Sequence, residues 1–396
     1  MPYIRVWAVP IFKALKPKLI RINSPMAAAL KDQYGPDVPR TIGDMVQAVY
    51  PVFKHATFLD DALRGYDDLA LMPPGKHIAQ VLQQHLPADY PQALAILLAS
   101  CEQSHQRDIG QSLASFLFLP HTLFVSLFGL GHFDLSMQAQ HALTQRFTAE
   151  FSIRAFLDHH PLATLAQLKK WTQDPSPHVR RLVSEGTRPR LPWAGRLRQF
   201  QKDPTPVLAL LECLKDDPAL YVRRSVANNL NDIGKHDPDI LAQTALEWRQ
   251  DASQERCWIV GHALRSAVKR GESAALDALG YGAAVLVALQ NALMHSQRIQ
   301  AGKAVTVSVE VLNPGAQALE LLIDLAVHCV KANGKTRPKV FKLKALRLPA
   351  GGSVRLRKVV SLKEMTTRKH HAGVHAMALL VNGRARALGE FGLLKR

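Results

Sequence analysis

Two segments of the chain repeat each other at an offset of 43 residues. Asp174–Gly186 reads DPSPHVRRLVSEG and Asp217–Asn229 reads DPALYVRRSVANN, so both hold Asp-Pro, Val-Arg-Arg and a further valine. A period of this length is typical of HEAT-type helical pairs, each of which buries its apolar face only by stacking on its neighbours. The repeat therefore predicts a curved all-α solenoid.

The chain around the repeat has the same helical character. From Ser24 to about His295, segments such as TIGDMVQAVYPVF and TPVLALLECLKDD have the apolar spacing of amphipathic helices, separated by short Pro, Gly and Asp interruptions. We assign residues 26–297 to a domain of HEAT-like repeats. Residues 1–25 are an extension to which we assign no role, and their lysines and prolines make a poor signal peptide.

Near residue 300 the hydrophobic pattern changes from helical to alternating. The segments AVTVSVEVL, SVRLRKVVSL and GVHAMALLV alternate apolar with polar or basic residues, between the turn signals NPG, NGK and NGR. Five to seven short strands at this spacing predict an immunoglobulin-like β-sandwich over residues 303–396. The predicted fold class is an α-solenoid of HEAT-like helical repeats followed by a C-terminal all-β immunoglobulin-like sandwich.

The chain is strongly basic, and the excess of positive charge is uneven. Its formal net charge is +18, and residues 300–396 hold 18 Lys and Arg against 5 Asp and Glu. Such an excess favours a polyanionic partner, either nucleic acid or an anionic membrane face. An ordinary solvated face is the alternative for any single basic strand residue, such as Arg357.

Other features argue against membrane, metal and cofactor sites. The apolar run SFLFLPHTLFVSLFGLG is short for a membrane span and is broken by a Pro-His pair, so we expect a buried helix pair. The four cysteines form no CxxC motif, which predicts neither zinc nor disulfides and fits a reducing cytoplasm. His178, His236 and His262 have no familiar metal-site spacing, and no phosphate-binding glycine loop follows a strand.

A single acid, Glu185, lies among the four arginines of HVRRLVSEGTRPRLPW. The prolines predict a short helix over Val179–Thr187 with Glu185 in its last turn. The partial negative charge of a helix C-terminus disfavours an acid there by a few tenths to about 1 kcal/mol. Salt bridges to Arg181 and Arg188 on the surface are one explanation for the acid, and a chemical role is the other.

Two further acids are candidates for the same site. A helix is predicted to start near Tyr221 and to end by Gly234, which puts Asp232 in its terminal turn. Glu185 and Asp232 would then fall along the same edge of a solenoid. Glu150, in TAEFSIRAF, is expected on an amphipathic helix with Arg154 one turn later.

Several strings together resemble the AlkC family of bacterial DNA alkylation repair glycosylases, which are relatives of the AlkD family. They are HLPADYPQALAILL, TAEFSIRAF, SPHVRRLVSEGTRPRLPW, DPALYVRRSVANNLNDIGKHDPD and ERCWIVGHALR. VSEGTRPRLPW and NNLNDIGKHDPD are unusual strings, unlike the general HEAT consensus. The resemblance runs from about Met26 to the C-terminus and implies a HEAT-like solenoid with a C-terminal immunoglobulin-like domain.

The resemblance also implies which residues act. It assigns the catalytic acids to Glu150, Glu185 and Asp232, and a DNA-proximal tryptophan to Trp193. The expected DNA-binding arginines are Arg154, Arg180, Arg181, Arg188, Arg190, Arg223 and Arg224. The expected partner is double-stranded DNA that contains alkylated bases, and the protein is expected to act as a cytoplasmic monomer with no cofactor, metal or membrane.

The expected reaction gives the acids a purpose. An alkylated base such as N3-methyladenine or N3-methylcytosine is cationic, so its N-glycosidic bond is weak and its hydrolysis has an oxocarbenium-like transition state. Carboxylates close to the sugar stabilise the developing cation, and one of them orients or deprotonates the attacking water. The resemblance implies a monofunctional glycosylase that works without base flipping.

Two alternatives stay open on the sequence alone. Trp193 either packs in the core after a proline turn or contacts the deoxyribose at the lesion. The whole chain is either this enzyme or a non-enzymatic HEAT scaffold that binds nucleic acid or protein, which would leave Glu185 and Asp232 without a role. Convergence of the three carboxylates on one patch would distinguish the enzyme from the scaffold.

Overall fold

The fold was analysed in a computed structural model. It describes residues 35–66, 72–102, 116–282, 285–364 and 369–394, so the extension at residues 1–25 lies outside the described residues. The chain divides into two compact units, and the division falls between His236 and Asp237. The assignment of functional domains to residues 26–297 and 303–396 stays a prediction.

Helices make up the described chain up to Ala278. The α-helices are α1 (Asp37–Val49), α2 (His55–Leu63), α3 (Met72–His85), α4 (Tyr90–Glu102), α5 (Leu119–Phe128), α6 (Phe133–Thr144), α7 (Ile153–His159), α8 (Pro161–Trp171), α9 (Pro177–Gly186), α10 (Arg198–Lys202), α11 (Thr205–Leu214), α12 (Leu220–Ile233), α13 (Pro238–Arg249), α14 (Gln254–Ala263), α15 (Arg265–Arg270) and α16 (Ser273–Ala278). The predicted α-helical repeat region is confirmed.

The repeated Asp-Pro motif starts α9 and α12 in the same way. The Asp174 carboxylate accepts a hydrogen bond from the Ser176 N–H at 2.8 Å, and the Asp217 carboxylate accepts one from the Ala219 N–H at 2.8 Å. An Asp side chain that bonds the backbone two residues on fixes a turn. Each copy of the motif therefore sets the entry into the helix that carries one of the candidate acids.

The described part of the apolar run, from Phe116 onward, contains a single α-helix, so the predicted helix pair is wrong. After a 3-10 turn at Phe116–Phe118, the single helix α5 continues to Phe128. Pro120 lies in the first turn of α5, where a missing N–H costs nothing, so this proline starts a helix and does not break one. No helix in the described part of the chain is long and apolar enough to cross a membrane.

The described residues from Ala288 onward form strands in two sheets. They are β1 (Ala288–His295), β2 (Arg298–Gln300), β3 (Ala304–Leu312), β4 (Leu319–Val330), β5 (Thr336–Leu348), β6 (Ser353–Ser361), β7 (Gly373–Val381) and β8 (Arg384–Leu394). One sheet has the order β1-β3-β6 and the other β2-β8-β7-β4-β5. Val305 of the first sheet packs in one buried cluster with Leu325 and Phe391 of the second. The predicted immunoglobulin-like sandwich is confirmed.

The structure has more strands than the five to seven predicted, because β1 and β2 precede the alternating pattern. β1 begins at Ala288, and most of its side chains are exposed or half-buried, so they give little alternation of apolar and polar residues. β2 has only three residues, and it pairs in parallel with β8. Exposed and very short strands leave a weak period-two signal in a sequence.

Candidate active site

Glu185 lies in the last turn of α9, and its side chain is buried. Only 6% of the residue is exposed. Arg188 Nη1 lies 2.5 Å from Glu185 Oε1, and Arg181 Nη2 lies 3.8 Å from the same oxygen. Both predicted arginine partners are therefore present, but the explanation by a surface salt bridge is wrong because the carboxylate is buried. Cations are needed here because the helix end and the burial both oppose a negative charge.

Asp232 occupies the matching end of α12 and is more deeply buried, with 1% of the residue exposed. Arg188 holds its Oδ2 through Nη2 at 2.7 Å and Nε at 2.8 Å. Lys235 Nζ lies 2.6 Å from Oδ1. Both carboxylate oxygens of Asp232 are thus occupied by cationic donors, which fixes their position.

Glu150 lies in the turn before α7, so its predicted place on a helix is wrong. Its Oε2 is 2.7 Å from Arg181 Nη2 and accepts a hydrogen bond from Thr148 Oγ1 at 2.9 Å. The expected helical pair with Arg154 is also wrong, because the Arg154 guanidinium bonds the backbone carbonyls of Gly186, Arg188 and Gly195. Among the described residues, no contact engages the second Glu150 oxygen.

The three candidate acids converge in one chain of ion pairs. The order is Glu150, Arg181, Glu185, Arg188 and Asp232, with each arginine between two acids. Burial alone would lower the pKa of both guanidinium groups, but the flanking carboxylates outweigh it and raise the pKa of each. Two fixed cations therefore keep three negative charges close together in a largely buried site.

Ser225 is a site residue that the sequence reasoning missed. It is buried on α12, and its hydroxyl donates to Glu185 Oε2 at 2.6 Å. Ser184 Oγ lies 2.5 Å from Ser225 Oγ, and Asn229 Nδ2 donates to the Ser184 carbonyl at 2.7 Å. Hydrogen bonds from α12, in the second repeat, thus fix the Glu185 carboxylate of the first repeat. The signal in the sequence was a serine at the position that Leu182 occupies in the first copy.

Trp193 is displayed on the surface, so the core-packing alternative is wrong. The residue is 58% exposed and has a φ of 64°. A positive φ is uncommon for a bulky residue and is strained. The backbone near it is held by Arg154, whose guanidinium donates to the carbonyls of Gly186 at 3.0 Å, Arg188 at 2.8 Å and Gly195.

This use of Arg154 differs from the predicted phosphate contact. The residue is only 5% exposed, and burial lowers the pKa of its guanidinium to about 10. Its donors bond backbone carbonyls on both sides of Trp193. Arg154 therefore shapes the loop that presents the tryptophan.

The remaining predicted DNA-binding arginines fall into two groups. Arg180 is paired with Asp217, and the contacts of Arg223 are with the carbonyls of Asp217 and Pro218. Arg190 is half-buried and donates through Nε to His236 Nε2 at 2.7 Å. Arg224 is exposed. Arg180 and Arg223 thus bond groups at the starts of the helices, Arg190 bonds a neighbouring histidine, and Arg224 is the exposed arginine of the four.

The three histidines weighed as metal ligands contact other groups. His178 packs edge-on against Tyr221, and His262 stacks on Trp258 at 5.0 Å between ring centroids. His236 accepts from Arg190, and burial together with Arg190 and Arg196 lowers its pKa. The described ranges contain no group of three or more His, Cys, Asp or Glu side chains arranged to hold a metal ion.

Known proteins share both the fold and the sequence. The family model described as "Uncharacterised protein YhaZ, C-terminal Ig-like domain" matches residues 288–395. The Bacillus subtilis (strain 168) protein named uncharacterized protein YhaZ is 34% identical over 365 residues, which cover 92% of this chain and 99% of that protein.

A solved structure extends the likeness to the whole fold. It is that of the Pseudomonas fluorescens alkylpurine DNA glycosylase AlkC, bound to DNA that contains an abasic site analog. Its TM-score with this chain is 0.87 at 37% identity, and the match covers 93% of this chain and 100% of that one. The chain therefore belongs to the family that contains AlkC and YhaZ.

Proposed function

We propose that the protein is a DNA glycosylase that hydrolyses the N-glycosidic bond of cationic alkylated bases. The observation that carries the proposal is the convergence of Glu150, Glu185 and Asp232 through two bridging arginines. The relationship to AlkC, whose solved structure contains DNA with an abasic site analog, supports it. A binding scaffold would have no need for three carboxylates held close together in a buried site, because their burial is costly.

The chemistry follows from charge. A base methylated at N3 of adenine or cytosine is already cationic and leaves as a neutral molecule, while positive charge develops on the deoxyribose. Fixed carboxylates next to that sugar stabilise the charge as it forms and need no reorganisation during the reaction. The bond from C1′ to the methylated nucleobase breaks. Water then forms a bond to C1′ and loses its proton to a carboxylate that acts as the general base.

The contacts of the three acids suggest different roles for them. Both oxygens of Asp232 and both oxygens of Glu185 have partners, so these acids are suited to fixed electrostatic stabilisation. Glu150 has partners on Oε2 alone among the contacts described. We assign to Glu150 the positioning of the attacking water and the acceptance of its proton.

The DNA contacts are assigned by accessibility. Arg190, Arg224 and the exposed ring of Trp193 are available to phosphate and sugar, which supports their role as the backbone contacts. Arg181 and Arg188 serve the same surface indirectly, because they offset the repulsion between the acids and the phosphates. The remaining predicted contacts, Arg154, Arg180 and Arg223, are reassigned to holding the fold.

Excision without base flipping and by hydrolysis alone is part of the proposal. Selection would then rest on the cationic instability of the lesion, since no pocket would read the shape of the base, in contrast to enzymes that flip the nucleotide. Lys235 Nζ is bonded to Asp232 Oδ1, so it is unsuited to form a Schiff base with the sugar.

A substrate panel tests the proposed function. The purified protein is incubated with duplex DNA that carries N3-methyladenine, N3-methylcytosine, uracil or hypoxanthine, and the released bases are measured. We expect release of the two cationic bases and an intact abasic strand, with no covalent complex trapped by borohydride. Release of uracil at a comparable rate, or no release of either methylated base, would overturn the proposal.

A further inference from the structure

A second site lies in the C-terminal unit, which contains none of the three proposed catalytic acids. A partly open cavity of about 180 Å³ is lined by residues of α14, α15, β4 and β5. Its lining is mainly apolar and includes Val268, Leu279 and Leu322. An apolar cavity of roughly 150 Å³ accommodates benzene, so this one has room for a flat ring somewhat larger than benzene.

A buried acid forms part of the cavity wall. Asp324 lies on β4 at a register shift, is 6% exposed, and its Oδ1 has no hydrogen-bond partner. Burial raises the pKa of this carboxyl, against the opposing effect of Lys342. An unsatisfied buried oxygen costs stability, and a carboxyl oxygen accepts a hydrogen bond. Asp324 Oδ1 therefore matches the edge of a heteroaromatic ring that offers an N–H donor.

The wall of the same cavity also contains basic side chains and an aromatic ring. Arg265, Lys269 and Lys342 all line it, and so does Trp258, which is 36% exposed. Trp258 stacks on His262, which also lines the cavity, so the two rings give the cavity an aromatic wall. Neighbouring cations favour a ligand with an anionic substituent. The apolar space, the Asp324 carboxyl group and the cations together match a ligand that has a planar ring and a negatively charged substituent.

We propose that this cavity binds a nucleotide, with the base in the apolar space against Asp324 and the phosphate at Arg265, Lys269 and Lys342. The nucleotide comes either from the free pool or from an unpaired end of a DNA strand, since both present the same base and phosphate. The proposal is independent of the glycosylase chemistry, because every residue that it uses belongs to the C-terminal unit.

Gly261 offers a way to close the cavity without disturbing the fold. It lies on α14 and lines the cavity, and a Cβ added at this glycine would meet nothing within 4 Å. Leucine is a better helix former than glycine, so Gly261→Leu should fold normally while it fills the space. Gln254→Leu is the matched control, because it adds the same side chain to an exposed position of the same helix.

Binding of adenosine 5′-monophosphate to the full chain is measured by calorimetry, with adenosine and inorganic phosphate as comparison ligands. We expect the nucleotide to bind at least about tenfold more tightly than either part alone. Gly261→Leu should remove this preference, and Gln254→Leu should keep it. Glu185→Gln should bind the nucleotide as the parent does, which separates this site from the proposed active site.

Two further arms define the ligand. Asp324→Leu should weaken binding of the nucleotide but leave that of phenyl phosphate, which has no hydrogen-bonding edge, unchanged. Competition by duplex DNA with a single-stranded overhang, but not by blunt duplex, would assign the site to a DNA end, and competition by neither would assign it to the free nucleotide. Equal binding of nucleotide and inorganic phosphate, or unaltered nucleotide binding by Gly261→Leu, would overturn the proposal.

Discussion

The two copies of the Val-Arg-Arg motif use their first arginine alike and their second arginine differently. Arg180 bonds the carbonyls of Asp174 and Pro175, and Arg223 bonds those of Asp217 and Pro218 in the same geometry. The second arginine of the first copy, Arg181, bridges two buried acids, whereas its counterpart Arg224 is exposed.

This difference distinguishes the contacts that build each helical repeat from the contacts that form the proposed active site. The carbonyl contacts made in both copies close the turn before a helix, so they are structural, and Arg180 adds an ion pair with Asp217. A position whose use differs is open to a new role, and in the first copy it joins the ion-pair chain. The loops after the two helices diverge in the same way, because Trp193 stands where the second copy has His236.

The largest expected effect is on stability at the centre of the ion-pair chain. Arg188→Met leaves Glu185 and Asp232 buried without their shared cation, which should lower the free energy of unfolding by about 3–5 kcal/mol. Arg224→Met makes the same substitution at an exposed arginine and should change the free energy of unfolding by no more than about 0.5 kcal/mol. Urea denaturation of both variants measures the contrast, and equal losses would show that the two positions are not distinct.

The second effect concerns the bond across the repeats. Ser225→Ala removes the donor to Glu185 Oε2, and a hydrogen bond to a charged group is worth about 1.5–3 kcal/mol, so excision should slow by roughly 10- to 100-fold. DNA affinity should not change, because Ser225 is buried. Ser176→Ala, at a helix start whose side chain makes no capping bond, is the control. An unaltered excision rate in Ser225→Ala would remove this residue from the site.

How far the sequence predicts this molecule depends on the range of each interaction. The helix ends at Glu185 and Asp232 follow from local proline and glycine signals, and α9 and α12 end within one residue of the expected positions. The place of Glu150 in a turn was missed because an amphipathic pattern does not fix where a helix begins. The hydrogen bond from Ser225 to Glu185 joins residues 40 apart in sequence, and no local pattern encodes it.

The third effect concerns Trp193, where one substitution should raise stability and weaken DNA binding. Trp193→Gly relieves a positive φ, which costs a bulky residue roughly 1 kcal/mol or more, so the free energy of unfolding should rise by about 1 kcal/mol. The same change removes the exposed ring and should weaken binding to DNA with an abasic site analog. Thermal unfolding and a titration with that DNA give the two values. A loss of stability together with unaltered DNA affinity would show that the loop is not built to present the ring.

The smallest effect is on the salt dependence of DNA binding. If Arg224 contacts one phosphate, Arg224→Ser should reduce the slope of log affinity against log salt by about 1. Arg180→Ser should leave the slope unchanged, because its guanidinium is already paired with Asp217. Titrations at several salt concentrations measure both slopes, and a smaller slope in Arg180→Ser alone would reverse the assignment of the two arginines.

The central claim is that the converging carboxylates perform the chemistry, and single-turnover excision of N3-methyladenine tests it most directly. Glu185→Gln and Asp232→Asn keep the shape of each side chain and remove its charge. Each should slow excision by about 100- to 1,000-fold, the size of effect seen when one preorganised electrostatic group is lost. DNA binding should persist or tighten, because negative charge near the phosphates is reduced. Full excision activity in both variants would contradict the claim.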